Sequence, residues 1–168
     1  MRLRMKAPSP GFHVILVNPE IPQNTGNIAR LCAATGSTLH LVGEIGFSTD
    51  EKAVRRAGLD YWHLVKVMKH PDLDSCLEET GLSEPLLFTT GSGKKYTDAP
   101  FEKGCALVFG AESVGLPGEI HQQFAHRSYG IPTRSASVRS LNLANATAIV
   151  LYRALEVTGA LDDPFLEE

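Results

Sequence analysis

Two clusters of side-chain amides and one arginine carry the strongest chemical signal in this 168-residue chain. Asn24, Asn27 and Arg30 gather at the start of one predicted helix; Asn142 and Asn145 lie near the start of another, with Tyr152 two turns further on. Amides can orient a hydroxyl from either side, and a guanidinium grips oxyanions through a planar fork of donors. Plainer roles compete with these: Asn24 as a helix cap, Arg30 as a solvated charge, Asn142 and Asn145 as ties between loop and helix, Tyr152 as a packing residue. Glu112 stands between Gly110 and Gly115, where a carboxylate receiving backbone amides would brace its loop rather than act as an acid or base. The stretch Ile131-Pro-Thr-Arg-Ser-Ala-Ser-Val-Arg139 adds hydroxyls, cations and a constrained backbone.

Several other chemistries fail on named residues. A Walker-type phosphate loop ending at Gly93-Lys94 would need glycine in place of Phe88 and a hydroxyl in place of Lys95. Gly110 and Gly115 have the right separation, but Leu116 replaces the lysine. Gly91-Ser-Gly93 has Tyr96 where a dinucleotide fingerprint needs its third glycine. The histidines at 13, 40, 63, 70, 121 and 126 show no metal-ligand spacing, so no metal is expected. Cys32, Cys76 and Cys105 are odd in number and widely spaced, which indicates neither disulfides nor zinc. With no secretory leader and no apolar run long enough for a bilayer, the expected compartment is the cytoplasm, with no membrane partner.

The elements that must position these residues alternate. Strands are predicted over 12–17, 39–42, 64–68, 86–90, 105–109 and 128–131, and helices over about 25–34, 51–57, 71–79, 117–124 and from Ser140 onward. Ile28, Leu31, Cys32 and Thr35 form a helical stripe that Gly36 is suited to end. Such alternation means an α/β fold with a mainly parallel sheet flanked by helices. Ligands of such sheets sit beyond the carboxyl ends of strands, where the loops at 91–93, 110–115 and 132–139 fall. Hydrophobic content of 43% and charged content of 21% suit one globular domain, taken as 12–160. Residues 1–11 read as a flexible basic extension and 161–168 as an acidic tail. The last helix, with Ser140 as its expected N-cap, is apolar on two faces, so a second copy of the chain is expected to cover one of them.

Net charge of −3 gives no overall nucleic-acid footprint. Setting aside Asp162, Asp163, Glu167 and Glu168 leaves one net positive charge, with a basic middle at Lys52, Arg55, Arg56, Lys66, Lys69 and His70.

Three stretches together carry a resemblance. Asn18-Pro-Glu-Ile-Pro-Gln-Asn-Thr-Gly-Asn-Ile-Ala-Arg30-Leu-Cys-Ala-Ala-Thr-Gly36, Phe109-Gly-Ala-Glu-Ser-Val-Gly-Leu-Pro117, and Ile131-Pro132 followed by Arg139-Ser-Leu-Asn-Leu-Ala-Asn-Ala146 stand in order and at matching spacing. With Arg55-Arg-Ala-Gly-Leu-Asp-Tyr61, they resemble the SPOUT class of RNA methyltransferases, most closely the small tRNA 2′-O-ribose methyltransferases of the anticodon wobble nucleotide (TrmL/YibK type). The resemblance implies a SPOUT fold with a C-terminal deep trefoil knot and a homodimer. It implies S-adenosylmethionine as cofactor, contacted by Phe88, Gly110, Ile131, Ser140 and Leu141, and the tRNA anticodon arm as partner. It gives catalytic roles to Arg30, Asn24, Asn145 and Tyr152, and RNA contacts to Arg55, Arg56 and Arg139. A guanidinium is effectively never deprotonated, so Arg30 is expected to grip phosphate and a developing oxyanion rather than act as a base.

The chain departs from the family pattern at Ala111, Thr133 and Ala144, and its 133–138 loop is about one residue longer than in close relatives. Two alternatives stay open at the sequence level: a methyltransferase of ribosomal RNA, and a knotted RNA-binding protein without catalysis.

Overall fold

The computed structural model describes residues 1–56, 61–134 and 138–168. The chain begins with β1 (Arg2–Arg4), followed by β2 (His13–Val17), α1 (Pro22–Thr35), β3 (Thr38–Val42) and α2 (Glu51–Arg56). It continues through β4 (Val67–His70), α3 (Leu73–Thr80), β5 (Leu86–Phe88), β6 (Ala106–Phe109), α4 (Gly118–Gln123) and β7 (Ser128–Tyr129). It closes with α5 (Leu143–Val157) and β8 (Phe165–Glu167).

Six strands form one sheet in the order β4-β3-β2-β6-β5-β7, and every pairing in it is parallel. Both faces of such a sheet are covered, so its central strands are apolar throughout rather than alternating. Val14, Leu16, Leu39, Leu41, Leu107 and Phe109 meet Ile28 and Cys32 of α1 and Val150, Leu151, Ala154 and Leu155 of α5 on one side. Ile15, Val17, Val42, Leu87 and Val108 meet Leu73, Cys76 and Leu77 of α3 and Ile120 of α4 on the other.

The α/β expectation holds, with differences at particular elements. The strand expected over 64–68 starts at Val67 instead, because Trp62–Leu64 is a 3₁₀ turn and pairing with β3 begins at Leu39↔Val67. Helix α3 is capped by Asp72, whose side chain accepts from Ser75 N, and starts two residues after Pro71. Ser140 is not the cap of α5. Asn142 is, its Oδ1 accepting from Ala144 N at 2.9 Å and Asn145 N at 3.3 Å. The two ends, read separately as an extension and a tail, pair as an antiparallel ribbon of β1 with β8, closed by an Arg4–Glu167 ion pair at 2.6 Å.

Helix α5 divides its apolar surface. Thr147, Val150, Leu151, Ala154 and Leu155 are buried in the protomer, whereas Ile149, Tyr152 and Val157 are 38%, 45% and 48% exposed. No described helix is long and apolar enough to cross a membrane.

Candidate functional site

The carboxyl ends of β5 and β6 open into a cavity of about 610 Å³, also lined by Arg139, Ser140, Leu141 and Asn142 of the segment leading into α5. Phe88 ends β5, Gly110 follows β6, and Ile131, Ser140 and Leu141 come from the approach to α5. All five residues expected to hold a cofactor line this one cavity. Leu116, Phe109 and Leu143 extend its apolar wall; Thr89, Thr90 and Ser113 add hydroxyls. Such a mixture of apolar wall and few polar groups suits a small organic ligand.

Glycine is required at Gly110 by the loop that follows. A Cβ there would run into the backbone of Gly115 and Leu116. The loop turns back on itself through paired hydrogen bonds between Ala111 and Gly115, whose φ of +71° favours glycine.

Glu112, at the tip of that loop, is the hub of the site. Its carboxylate accepts from Glu20 N at 2.8 Å, Ile21 N at 3.0 Å and Asn24 Nδ2 at 3.2 Å. Helix α1 begins after Ile21 without a side-chain cap of its own, and Glu112 takes the N–H of that N-cap residue and of Glu20 before it. Asn24 is buried in the first turn of α1, and its Oδ1 accepts from Asn142 Nδ2 at 2.9 Å. Asn24 is therefore a bridge and not a cap, and the three motif stretches meet through one chain of side chains.

A reciprocal contact closes the latch. The Glu20 carboxylate accepts from Ser113 Oγ at 2.7 Å and Ser113 N at 2.8 Å. Those hydrogen bonds hold the Glu20 carboxyl below its ordinary range. Sequence reading missed Glu20, Ser113, Thr89 and His121 as members of the site; the signal for the first three was their position at or just beyond strand ends, and His121, inside α4, carried none. Thr89 Oγ1 and His121 Nε2 lie 3.4 Å apart in the cavity wall.

Not every expected residue reaches the cavity. Arg139 does, and its guanidinium donates to Ser113 O at 3.1 Å. Arg30, Asn145 and Tyr152 are exposed and do not line it. Arg30 lies over the Tyr61 ring, 4.7 Å from its centroid, on the stretch of α1 beyond Asn24. Arg56 is exposed on α2, away from the cavity lining, and the side chain of Arg55 lies outside what the structure describes. A smaller cavity of about 300 Å³ adjoins the first, sharing Thr90, Ile131, Thr133 and Arg139. Its wall includes Lys94 and Lys95 and, among the described residues, no carboxylate.

Residues 11–152 match the model of the SpoU rRNA Methylase family. The chain belongs to the SpoU methylase family. Among SpoU-type relatives, it is 42% identical over 155 residues to a protein of Acidovorax sp. (strain JS42) named tRNA (cytidine(34)-2'-O)-methyltransferase, covering 91% of this chain and 96% of the relative. A protein of Methylovorus glucosotrophus (strain SIP3-4) with the same name is 41% identical over 143 residues, covering 85% and 93%. A solved structure described as giving insights into the 2-OH methylation of C/U34 on tRNA superposes with a TM-score of 0.78 at 39% identity, covering 88% of this chain and 97% of that one. The chain covers nearly the whole length of each of these relatives.

Proposed function

We propose that this SpoU methylase transfers a methyl group from S-adenosylmethionine to the ribose 2′-hydroxyl of the wobble nucleotide in a tRNA anticodon. The observation that carries the reading is the Glu112–Asn24–Asn142 chain, which joins the three motif stretches at the wall of the large cavity. Relatives more than 40% identical that are named for this reaction support the substrate.

The cavity fits the cofactor: Phe88, Ile131, Leu141 and Leu116 offer an apolar slot, and the loop ends offer polar groups around it. When bound there, S-adenosylmethionine supplies an electrophilic methyl group. The chain's own residues do the positioning, which lowers the barrier by holding the hydroxyl in line with the methyl group. Asn24, held at both ends of its amide, presents a fixed edge at the cavity wall. Lys94, Lys95 and Arg139 in the adjoining cavity suit a backbone phosphate of the RNA, and the exposed Arg56 and Lys66 suit the rest of the anticodon arm.

Arg30 needs a different account, because it does not line its own cavity. The exposed apolar face of α5 at Ile149, Tyr152 and Val157 fits a homodimer, and α1 packs beside α5. In such a dimer Arg30 of one subunit serves the site of the other. There it grips phosphate and stabilises the oxyanion, since it is always protonated. Tyr152 and Asn145, exposed on the same helix, belong to that shared substrate side. The trefoil knot and a cytoplasmic location go with the same reading.

Mapping 2′-O-methylation in RNA from cells lacking the protein tests the assignment. Loss confined to the wobble nucleotide of particular tRNAs is expected; loss in ribosomal RNA with intact tRNA would overturn it.

A further inference from the structure

Three histidines that the reaction does not use stand in a row on adjacent parallel strands. His13 Nδ1 lies 2.8 Å from His40 Nε2, and His40 Nδ1 lies 3.0 Å from His70 Nε2. His70 Nδ1 is 2.9 Å from Glu79 Oε2 of α3. Cys76, one turn before Glu79 on the same helix, completes the group. Ligand atoms of His40, His70 and Cys76 all lie within 4.8 Å of one another, and all three residues are buried. Sequence spacing gave no expectation of a metal because the grouping depends on strand register: Val42↔His70 brings β4 alongside β3, and α3 then folds back with Cys76.

The structure assigns His40 Nδ1, His70 Nε2 and Cys76 Sγ to a site for one divalent, thiolate-binding transition-metal ion of the zinc class. Two imidazoles and a thiol are a donor set for such ions, whereas magnesium and calcium want oxygen. The outer contacts have the form of a second shell. Metal-bound histidines hold their other ring nitrogen on a carboxylate or another polar group, which fixes ring orientation. Here the Glu79 carboxylate lies close to His70 Nδ1 without a hydrogen bond between them, and His13 hydrogen-bonds to His40 Nε2.

Charge favours a dication. Inside the buried site the Cys76 thiolate offsets half of the ion's charge, and the exposed Glu79 carboxylate at its edge offsets the remainder. Binding sends the Cys76 thiol proton to solvent and leaves both imidazoles neutral. Burial keeps that thiol protonated without an ion, pushing its pKa up to about 12, and Glu79 adds to the effect. The ion would fasten β4, the edge strand, and α3 to β3, clear of the cavity at the carboxyl ends of β5 and β6.

The test uses the untagged full-length chain, stripped of metal with a chelator and titrated with Co²⁺ as a spectroscopic probe, then with Zn²⁺. A thiolate-to-cobalt absorption band in the near ultraviolet should saturate at one Co²⁺ per chain and disappear as Zn²⁺ displaces it. Cys76→Ser should lose the band and Cys105→Ser should keep it. Zn²⁺ should raise the Tm of the wild type, because it binds only the folded form. Wild-type protein that shows no saturable thiolate band overturns the site and leaves the row as hydrogen-bonded core. A band that survives Cys76→Ser overturns it too. The wild-type titration decides even if a variant fails to fold.

Discussion

Asn142 donates its side-chain N–H to the Asn24 side-chain oxygen at 2.9 Å, so the amide that caps α5 also anchors the first turn of α1. This bond ties two helices together through residues 118 apart in sequence. Glu112 extends the connection to the loop after β6 by accepting from Asn24 Nδ2.

Removing the hub should loosen all three stretches. Glu112→Ala leaves the backbone N–H groups of Glu20 and Ile21 and the Asn24 amide without their acceptor. A loss of about 1–3 kcal/mol of stability is expected, the usual cost of stranding donors of a charged hydrogen bond. Cofactor affinity should fall roughly tenfold, corresponding to about 1.4 kcal/mol. Urea unfolding and calorimetry check the two effects. An unchanged variant would mean that the loop holds its shape through Gly110 and Gly115 alone.

Legibility of this site in the sequence was uneven for physical reasons. Apolar runs and glycine punctuation are local signals, so the strands and the three ligand loops could be placed, whereas the five cavity residues followed from the family resemblance of the motifs. Asn142 competes with Ser140 as a cap, and local preference alone does not separate them. Its second bond, to Asn24, decides the matter, and that bond exists only in three dimensions. Glu20 and Ser113 could not be paired, and the His13–His40–His70 row could not be seen, because both depend on which strands lie side by side. Arg30, read as acting on the RNA and not on the cofactor, stands outside the cavity. Its motif marks it for chemistry, and its place on α1 turns it away from its own cavity.

The Glu20–Ser113 contact carries a pH signature. Hydrogen bonds from the Ser113 hydroxyl and amide lower the Glu20 pKa from 4.5, while the unfolded chain keeps the ordinary value. A depressed folded-state pKa contributes stability above the unfolded value and loses it as pH falls through the folded one. Asp72, accepting from Ser75 N, acts in the same direction. Unfolding followed by urea from neutral pH into the acid range should show stability declining below 4.5. Glu20→Gln should make that decline shallower, and a parallel acid limb in the variant would remove Glu20 from it.

The exposed face of α5 should be an interface. Ile149→Asp places a charge on that face without touching the protomer core, so it should give folded monomers in light scattering. Leu151→Asp is a contrasting case: Leu151 is fully buried in its own subunit, and an unpaired charge there should prevent folding. Wild-type protein that is monomeric at micromolar concentration would refute the dimer.

Binding of the anticodon arm by a chain of net charge −3 must depend on local cations. Each phosphate neutralised releases counterions, so affinity should fall steeply as salt rises. Arg56→Glu combined with Lys66→Glu should weaken binding and flatten the salt slope. Filter binding across a salt series reads both, and an unaltered slope would take this surface out of the RNA path.

Arg30 provides the most exposed prediction. Arg30→Ala should abolish methyl transfer and leave S-adenosylmethionine affinity nearly unchanged, because Arg30 does not line the cavity. Arg30→Lys should restore little, since a point charge cannot hold two oxygens in a planar fork. Ser140→Trp, in contrast, fills the cavity and should abolish cofactor binding directly. The two defects also test whether Arg30 acts across the dimer. A heterodimer of an Arg30→Ala subunit with a Ser140→Trp subunit contains one intact cavity, on the Arg30→Ala chain, and one intact arginine, on the other. If Arg30 serves the opposite cavity, that heterodimer has one complete site and regains methyl transfer, although neither parent homodimer has any. If Arg30 serves its own cavity, no complete site exists in any combination. Labelled-methyl incorporation into tRNA by co-expressed, separately tagged subunits distinguishes the outcomes, and an inactive heterodimer that still binds cofactor at one site would return Arg30 to its own subunit.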